Sequence, residues 1–199
     1  MQTLTLLGAL TGVALLAGVR LYATVLTVGL CLRYGVVHLP PGLASLELLG
    51  HPYVLAVAGV CAVAEFVADK IPWVDSLWDA VHAFLRPAGA ALIALSAAGH
   101  LDPAAEVAVI LLCGVVAFSS HAAKSGARLL VNQSPEPVSN VLVSLTEDAT
   151  AAGGSYAVLA HPLAALAAVA AFLLLFALLA RRIFRRLRRR VRPPGPERL

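Results

Sequence analysis

Residues 163–190 read LAALAAVAAFLLLFALLARRIFRRLRRR. The first 18 of them carry no charge, and seven of the next ten are arginine. A bilayer-spanning helix needs about 20 apolar residues, and lysine and arginine accumulate in the cytoplasmic flanks of such helices. The stretch therefore predicts a last transmembrane helix with the C-terminus in the cytoplasm. The rest of the chain has the same character: of 199 residues 60% are hydrophobic and 13% charged, with mean hydropathy +0.86. Soluble domains carry about 25% charged residues. This composition excludes a disordered protein, a collagen and a small disulfide scaffold, and it leaves no length for a soluble catalytic domain.

The net charge of +4 conceals an asymmetry. Nine arginines follow residue 180, so the preceding body holds six basic and ten acidic residues and is itself negative. We divide the chain into a transmembrane domain, 1–180, and a basic cytoplasmic tail, 181–199. The tail suits anionic lipid at the membrane surface, and no nucleic-acid partner is expected. Cys31, Cys61 and Cys113 lie in apolar runs without a CxxC pair and read as small buried hydrophobes.

Further apolar runs cover 4–19, 21–37, 53–68, 104–118 and 138–160, with a shorter one at 88–99. The first has no basic residue before it and reads as a retained helix. Together they predict an all-α polytopic bundle of about seven spans. Residues 73–85, WVDSLWDAVHAFL, set Trp73, Leu77, Val81 and Phe84 at helical spacing, with Asp75, Asp79 and His82 opposite. That pattern predicts a short amphipathic helix that lies in the interface or covers a cavity mouth. Counting spans back from the tail puts Arg20, Lys70, Arg86, Lys124 and Arg128 on the cytoplasmic side and Arg33 outside. Gly18-Val19-Arg20 matches Gly126-Ala127-Arg128, and His51-Pro52 matches His161-Pro162, which suggests a 3+1+3 repeat of spans.

The chemistry gathers on a few polar residues. Glu147-Asp148 stands ten residues into an apolar run, near the bilayer midplane, where carboxylates are costly and functional by default. Thr146, Thr150 and Ser144 add hydroxyls, and Gly153-Gly154 predicts a kink or unwinding. Glu65 and Asp69 share a helix face at i, i+4. Arg20, Lys124, Arg128 and Asn132 are placed to balance the acids or to bind an anion. A metal site, if any, would use Glu147, Asp148 and Glu65, whose oxygens suit hard cations. His82 and His121 are candidate proton carriers. Ser139-Asn140 is a candidate helix cap after the polar loop 132–137. Ser134 has no base beside it, and no Walker motif, HExxH or CxxC occurs. No enzyme activity and no cofactor are expected.

Three strings, GVRLYATVLTVGL at 18–30, AEFVADKIPWVDSLWDAVHAFLRPAGA at 64–90 and HAAKSGARLLVNQSPEPVSNVLVSLTEDA at 121–149, resemble the bacterial membrane-protein family known as domain of unknown function 4126. The resemblance implies an integral inner-membrane protein and carries no catalytic residues with it. EFVADK at 65–70 is also similar to the Glu-x-Gly-Asp-Lys-Thr motif of cation/proton exchangers, though one residue longer and without the glycine. The sequence thus points to a small secondary transporter, coupled to a cation or proton, with an acidic intramembrane site. A lipid scramblase or flippase and a non-transporting scaffold are the alternatives. Its partners would be membrane lipid and a small ion or solute. The many small residues allow a monomer or a homo-oligomer.

Overall fold

The computed structural model describes residues 2–99, 101–131 and 137–191, and they are helical almost throughout. The helices are α1 (Gln2–Val19), α2 (Leu21–Arg33), a 3₁₀ helix (Pro41–Gly50), α3 (Pro52–Ala68), α4 (Pro72–Ala98), α5 (Pro103–Val131), α6 (Pro137–Ala160) and α7 (Pro162–Val191). The 3₁₀ helix and α3 to α7 all begin on proline, whose fixed φ and missing N–H suit a first turn. Asp102 adds a side-chain cap to α5, accepting from the N–H groups of Ala104 (3.0 Å) and Ala105 (3.3 Å). Because α6 starts at Pro137, Ser139 and Asn140 stand inside the helix and not ahead of it.

Among the described residues four helices are long and apolar enough to cross a membrane: Gln2–Val19, Trp73–Ala98, Pro103–Leu129 and Pro162–Arg186. A fifth span results if the 3₁₀ helix and α3, bent by 64° at their junction, cross together. The protein is an all-helical polytopic bundle, and by length and composition four or five of its described helices qualify as spans. The run expected over 21–37 stops at Arg33, where Gly35 turns the chain with φ +64°. The α2 helix keeps only 13 residues, about 20 Å at 1.5 Å per residue. Its Arg33 donates to the carbonyl of Gly50 (3.1 Å), holding the far end of α2 to the 3₁₀ helix.

The segments expected as an interfacial helix and a short run are one 27-residue helix, α4, with Pro87 inside it. Asp75, Asp79, His82 and Arg86 line one stripe and are buried, whereas Trp73, Leu77, Val81 and Phe84 face outward. The amphipathic pattern was legible, but its polar side turns inward. The carbonyl of Pro87 lies opposite Gly114, where a side-chain carbon would sit 3.8 Å away. The α6 helix likewise runs through Gly153-Gly154 without unwinding. Gly154 instead gives Leu16 of α1 room to approach.

The central helix is α1. It packs on α2, α4, α5, α6 and α7, and 61% of its apolar window is buried, against 11% for α7. A helix enclosed on all sides is apolar all round, and α1 meets its neighbours through glycines. A Cβ on Gly8 would strike the carbonyl of Pro162, and one on Gly18 would strike Ala117 and Ser120 of α5. This packing argues against two equivalent halves. The helix order fits three, one, three, but α1 packs closely on α7, and α5 makes no comparable packing against α3. The α7 helix continues unbroken past residue 180 to Val191.

Opposed contacts fix the helix directions. Gly8 meets Pro162, Gly12 meets Ala165, and Leu15 and Val19 share a groove with Phe172, so α7 runs parallel to α1. Ser120 donates to the carbonyl of Leu15 and Lys124 to that of Val19, so α5 is parallel to both. The arginine-rich end of α7 therefore extends from the end of the bundle that holds Arg20, Lys124 and Arg128.

Gly8→Ala should destabilise the fold by about 1–3 kcal/mol, because the obstructing atoms are backbone. Gly153→Ala, which meets open space, should be neutral or stabilising by up to about 1 kcal/mol. Thermal unfolding in detergent checks both.

A buried ion-pair network as the candidate site

Charged residues from the α1–α2 junction and from α3, α4, α5 and α6 converge at this end of the bundle. Arg20 is the single residue between α1 and α2 and has extended backbone (φ −145°, ψ 91°). The break aims its guanidinium sideways into the bundle. There it pairs with Asp69, approaches Glu147 Oε2 (3.4 Å) and Asp148 Oδ1 (3.2 Å), and donates to Ser144 Oγ (2.9 Å).

Arg128 is the hub. Its Nε and Nη2 clasp both oxygens of Glu147 (3.1 and 2.8 Å). Nη2 also reaches Asp69 Oδ2 (3.3 Å), and Nη1 reaches Asp75 Oδ2 (3.2 Å). Three carboxylates from three helix regions thus share one guanidinium, whose planar fork suits such sharing. Lys124 lies beside it. Its Nζ donates to the carbonyl of Val19 (3.2 Å) and sits 3.2 Å from Glu147 Oε2 and 4.0 Å from Asp79 Oδ1.

Lys124 links this group to a second one around Arg86. Nη2 of Arg86 donates to Glu65 Oε1 at 2.7 Å, and Nη1 approaches Asp79 Oδ1 (3.4 Å) and the carbonyl of Gly18 (3.4 Å). Nη1 also lies 2.6 Å from His121 Nδ1. His121 Nε2 faces the carbonyl of Asp79 at 3.1 Å. A carbonyl only accepts, so Nε2 carries the proton and Nδ1 accepts from Arg86. The ring is held neutral. His82 donates from Nδ1 to the carbonyl of Trp78 (2.8 Å) and faces the Tyr22 hydroxyl with Nε2 (3.3 Å). Ser125 completes the group by donating to Asp79 Oδ2 (2.8 Å).

Of the residues singled out in the sequence, Glu147, Asp148, Asp69, Arg20, Arg128 and Lys124 come together. Glu65 belongs to the Arg86 group, so the trio of Glu147, Asp148 and Glu65 is not one acidic site. Among the described residues no three His, Cys, Asp or Glu side chains are grouped to hold a metal. Asn132 lies outside the described residues, as does Ser134. Arg20, Arg86, Lys124 and Arg128 are buried and paired, so they do not meet lipid headgroups as topology anchors would. Asp69 pairs with Arg20 and Arg128, while its neighbour Lys70 turns to the carbonyl and ring of Phe66. Sequence reasoning missed Arg86, Asp75 and Asp79 as site residues. Their signal was the polar stripe of Asp75, Asp79, His82 and Arg86, which ends one residue before Pro87.

Two openings flank the network. A cavity of about 280 Å³ between α4 and α5 is lined by Asp75, Ser76, Asp79, His121, Ser125 and Arg128, together with small apolar residues. On the other side a groove of about 430 Å³ has mostly apolar walls from α1, α5, α6 and Phe172, with Lys124 and Glu147 at its base.

Fold and site together define a polytopic helical membrane protein organised around buried ion pairs. The chain belongs to the family described as a domain of unknown function, DUF4126, whose family model matches residues 7–182. No curated protein and no solved structure matches it.

Removing one member of a buried pair strands the other charge and costs about 3–5 kcal/mol. Arg86→Met should lose stability on that scale, and the Glu65→Met, Arg86→Met double variant should recover much of it. A double-mutant cycle of thermal unfolding measures the recovery.

Proposed function

We propose that this protein is a small secondary transporter whose buried ion-pair network is the coupling site for a proton or small cation. The observation that carries the reading is a charge mismatch: six carboxylates in the described network (Glu65, Asp69, Asp75, Asp79, Glu147 and Asp148) meet four cations. Asp69, Asp75, Asp79 and Glu65 are buried outright. Uncompensated charge inside a membrane protein is expensive and marks ion pathways and proton relays. Binding a proton or cation relieves the mismatch, and losing it restores the mismatch. Because the pairs tie four helices and a helix break together, each change of charge state alters which helices attract one another. That coupling of occupancy to helix packing is what alternating access requires.

In this reading the protein resides in a bacterial inner membrane with its C-terminus in the cytoplasm, where the arginine run touches anionic lipid. The polar cavity admits the coupling ion, and the groove receives the solute. A lipid-moving activity is the second reading, supported by the groove between α5 and α6, whose polar base and apolar walls suit an amphiphile.

The test is proton flux in proteoliposomes loaded with a pH dye, under imposed sodium, potassium or magnesium gradients. Wild type should move protons faster than empty vesicles, Glu147→Gln should fall to the empty-vesicle rate, and deletion of 181–199 should leave the rate unchanged. Wild-type flux no faster than empty vesicles under every gradient sinks the transporter reading. Headgroup-labelled lipid crossing the same vesicles, blocked by Ala123→Trp in the groove, would move the assignment to lipid transfer.

A further inference from the structure

The carboxylates of the network are unequally compensated. Glu147 is clasped by both arms of Arg128 and lies near Lys124 and Arg20. Asp69 lies between Arg20 and Arg128. Glu65 has the short bond from Arg86, and Asp79 has Arg86, Lys124 and Ser125. Asp148 pairs with Arg20 and keeps 30% of its side chain exposed. Asp75 is the exception. It is 2% exposed, and its one ion pair is with Arg128, whose charge Glu147 and Asp69 already share. Its second oxygen, Oδ1, is buried without a hydrogen-bond partner, as are Glu65 Oε2, Asp69 Oδ1 and Asp148 Oδ2, but those three residues have closer or less contested cations. A carboxylate that is desolvated, weakly paired and set beside other carboxylates favours its neutral form.

Asp75 is also reachable. It lines the cavity between α4 and α5, with Ser76, Asp79, His121 and Ser125 around it. Standing in the first turn of α4, it faces the end of the bundle from which the arginine run extends. Glu147 opens onto the opposite groove. Arg128, lining the cavity while holding Glu147, stands between the two.

We infer that Asp75 is the proton-binding residue of this network, loaded through the α4–α5 cavity, and that the coupling ion is therefore a proton. The inference deepens the transporter reading and rests on it only for the word coupling. The groups facing Asp75 are Arg128 on α5, Asp69 at the end of α3 and Asp79 on its own helix, with His121 of α5 lining the same cavity. Protonated Asp75 releases its claim on Arg128, which then serves Asp69 and Glu147 alone. Ionised Asp75 draws Nη1 of Arg128 toward α4. One proton thus shifts the balance of attraction between α4 and α6 across a shared guanidinium.

Infrared difference spectra of the purified full-length protein, titrated through pH, test the assignment directly. Wild type should show a protonated-carboxyl C=O band that disappears as pH rises. Asp75→Asn should delete it, and Glu147→Gln and Asp148→Asn should keep it. Ala80→Trp, which fills the cavity beside Asp75, should slow deuterium exchange of the band without removing it, and it tests the route if Asp75→Asn does not fold. Persistence of the band in Asp75→Asn, or exchange unaffected by Ala80→Trp, overturns the inference. Persistence of the band in Asp75→Asn together with proton flux as in wild type rejects the residue and leaves the transporter reading intact. Deletion of the band in Asp75→Asn, with no wild-type flux under any gradient, keeps the proton site and rejects transport.

Discussion

Everything at the polar end of this bundle depends on one guanidinium serving three carboxylates. Arg128 reaches Glu147, Asp69 and Asp75 from a single side chain, and those three residues belong to α6, the end of α3 and α4. In water such an arrangement would contribute little. With the side chains out of water it decides which helices can sit together, because a carboxylate left without its share of positive charge cannot stay buried. The neighbouring groups follow from the same constraint. Arg20 supplies the second cation on Asp69, and Arg86 compensates Glu65.

The apolar part of the molecule exists to make this burial feasible. Small residues let α1 approach its neighbours closely, and in lipid such packing holds helices together without a hydrophobic driving force. Gly18 shows how packing and chemistry join: its lack of a side chain seats Ser120 and Ala117 of α5 against α1, one turn from Lys124 and next to Arg20. The α7 helix is built differently. Its large apolar side chains point outward, and it contributes no member to the network.

The fold class was legible in the sequence because apolar run length is set by bilayer thickness alone. Of the six candidate site residues that come together, Glu147 and Asp148 were legible because a charged residue inside such a run is rare, and Arg20, Asp69, Lys124 and Arg128 because they close the runs beside them. What was not legible was direction. WVDSLWDAVHAFL has the same periodicity whether its aspartates face water or buried arginines, and only the positions of Arg86 and Arg128 decide between them. Pro87 misled for a related reason. It removes one backbone bond, yet α4 runs on to Ala98, with Asp75, Asp79 and Arg86 of the network all on the N-terminal side of the proline. The basic residues expected as topology markers are instead partners of acids lying far away in sequence, a pairing that no local pattern encodes.

The break at Arg20 bears on how the chain reaches its membrane in the first place. Arg20 emerges from synthesis with the first helix, but its acceptor on Ser144 lies 124 residues later, and Asp69, Glu147 and Asp148 also follow it. Until α6 has been made, Arg20 lacks Ser144, Glu147 and Asp148 as partners. The junction beside the most enclosed helix of the bundle can therefore complete its ion pairs only after α6 exists.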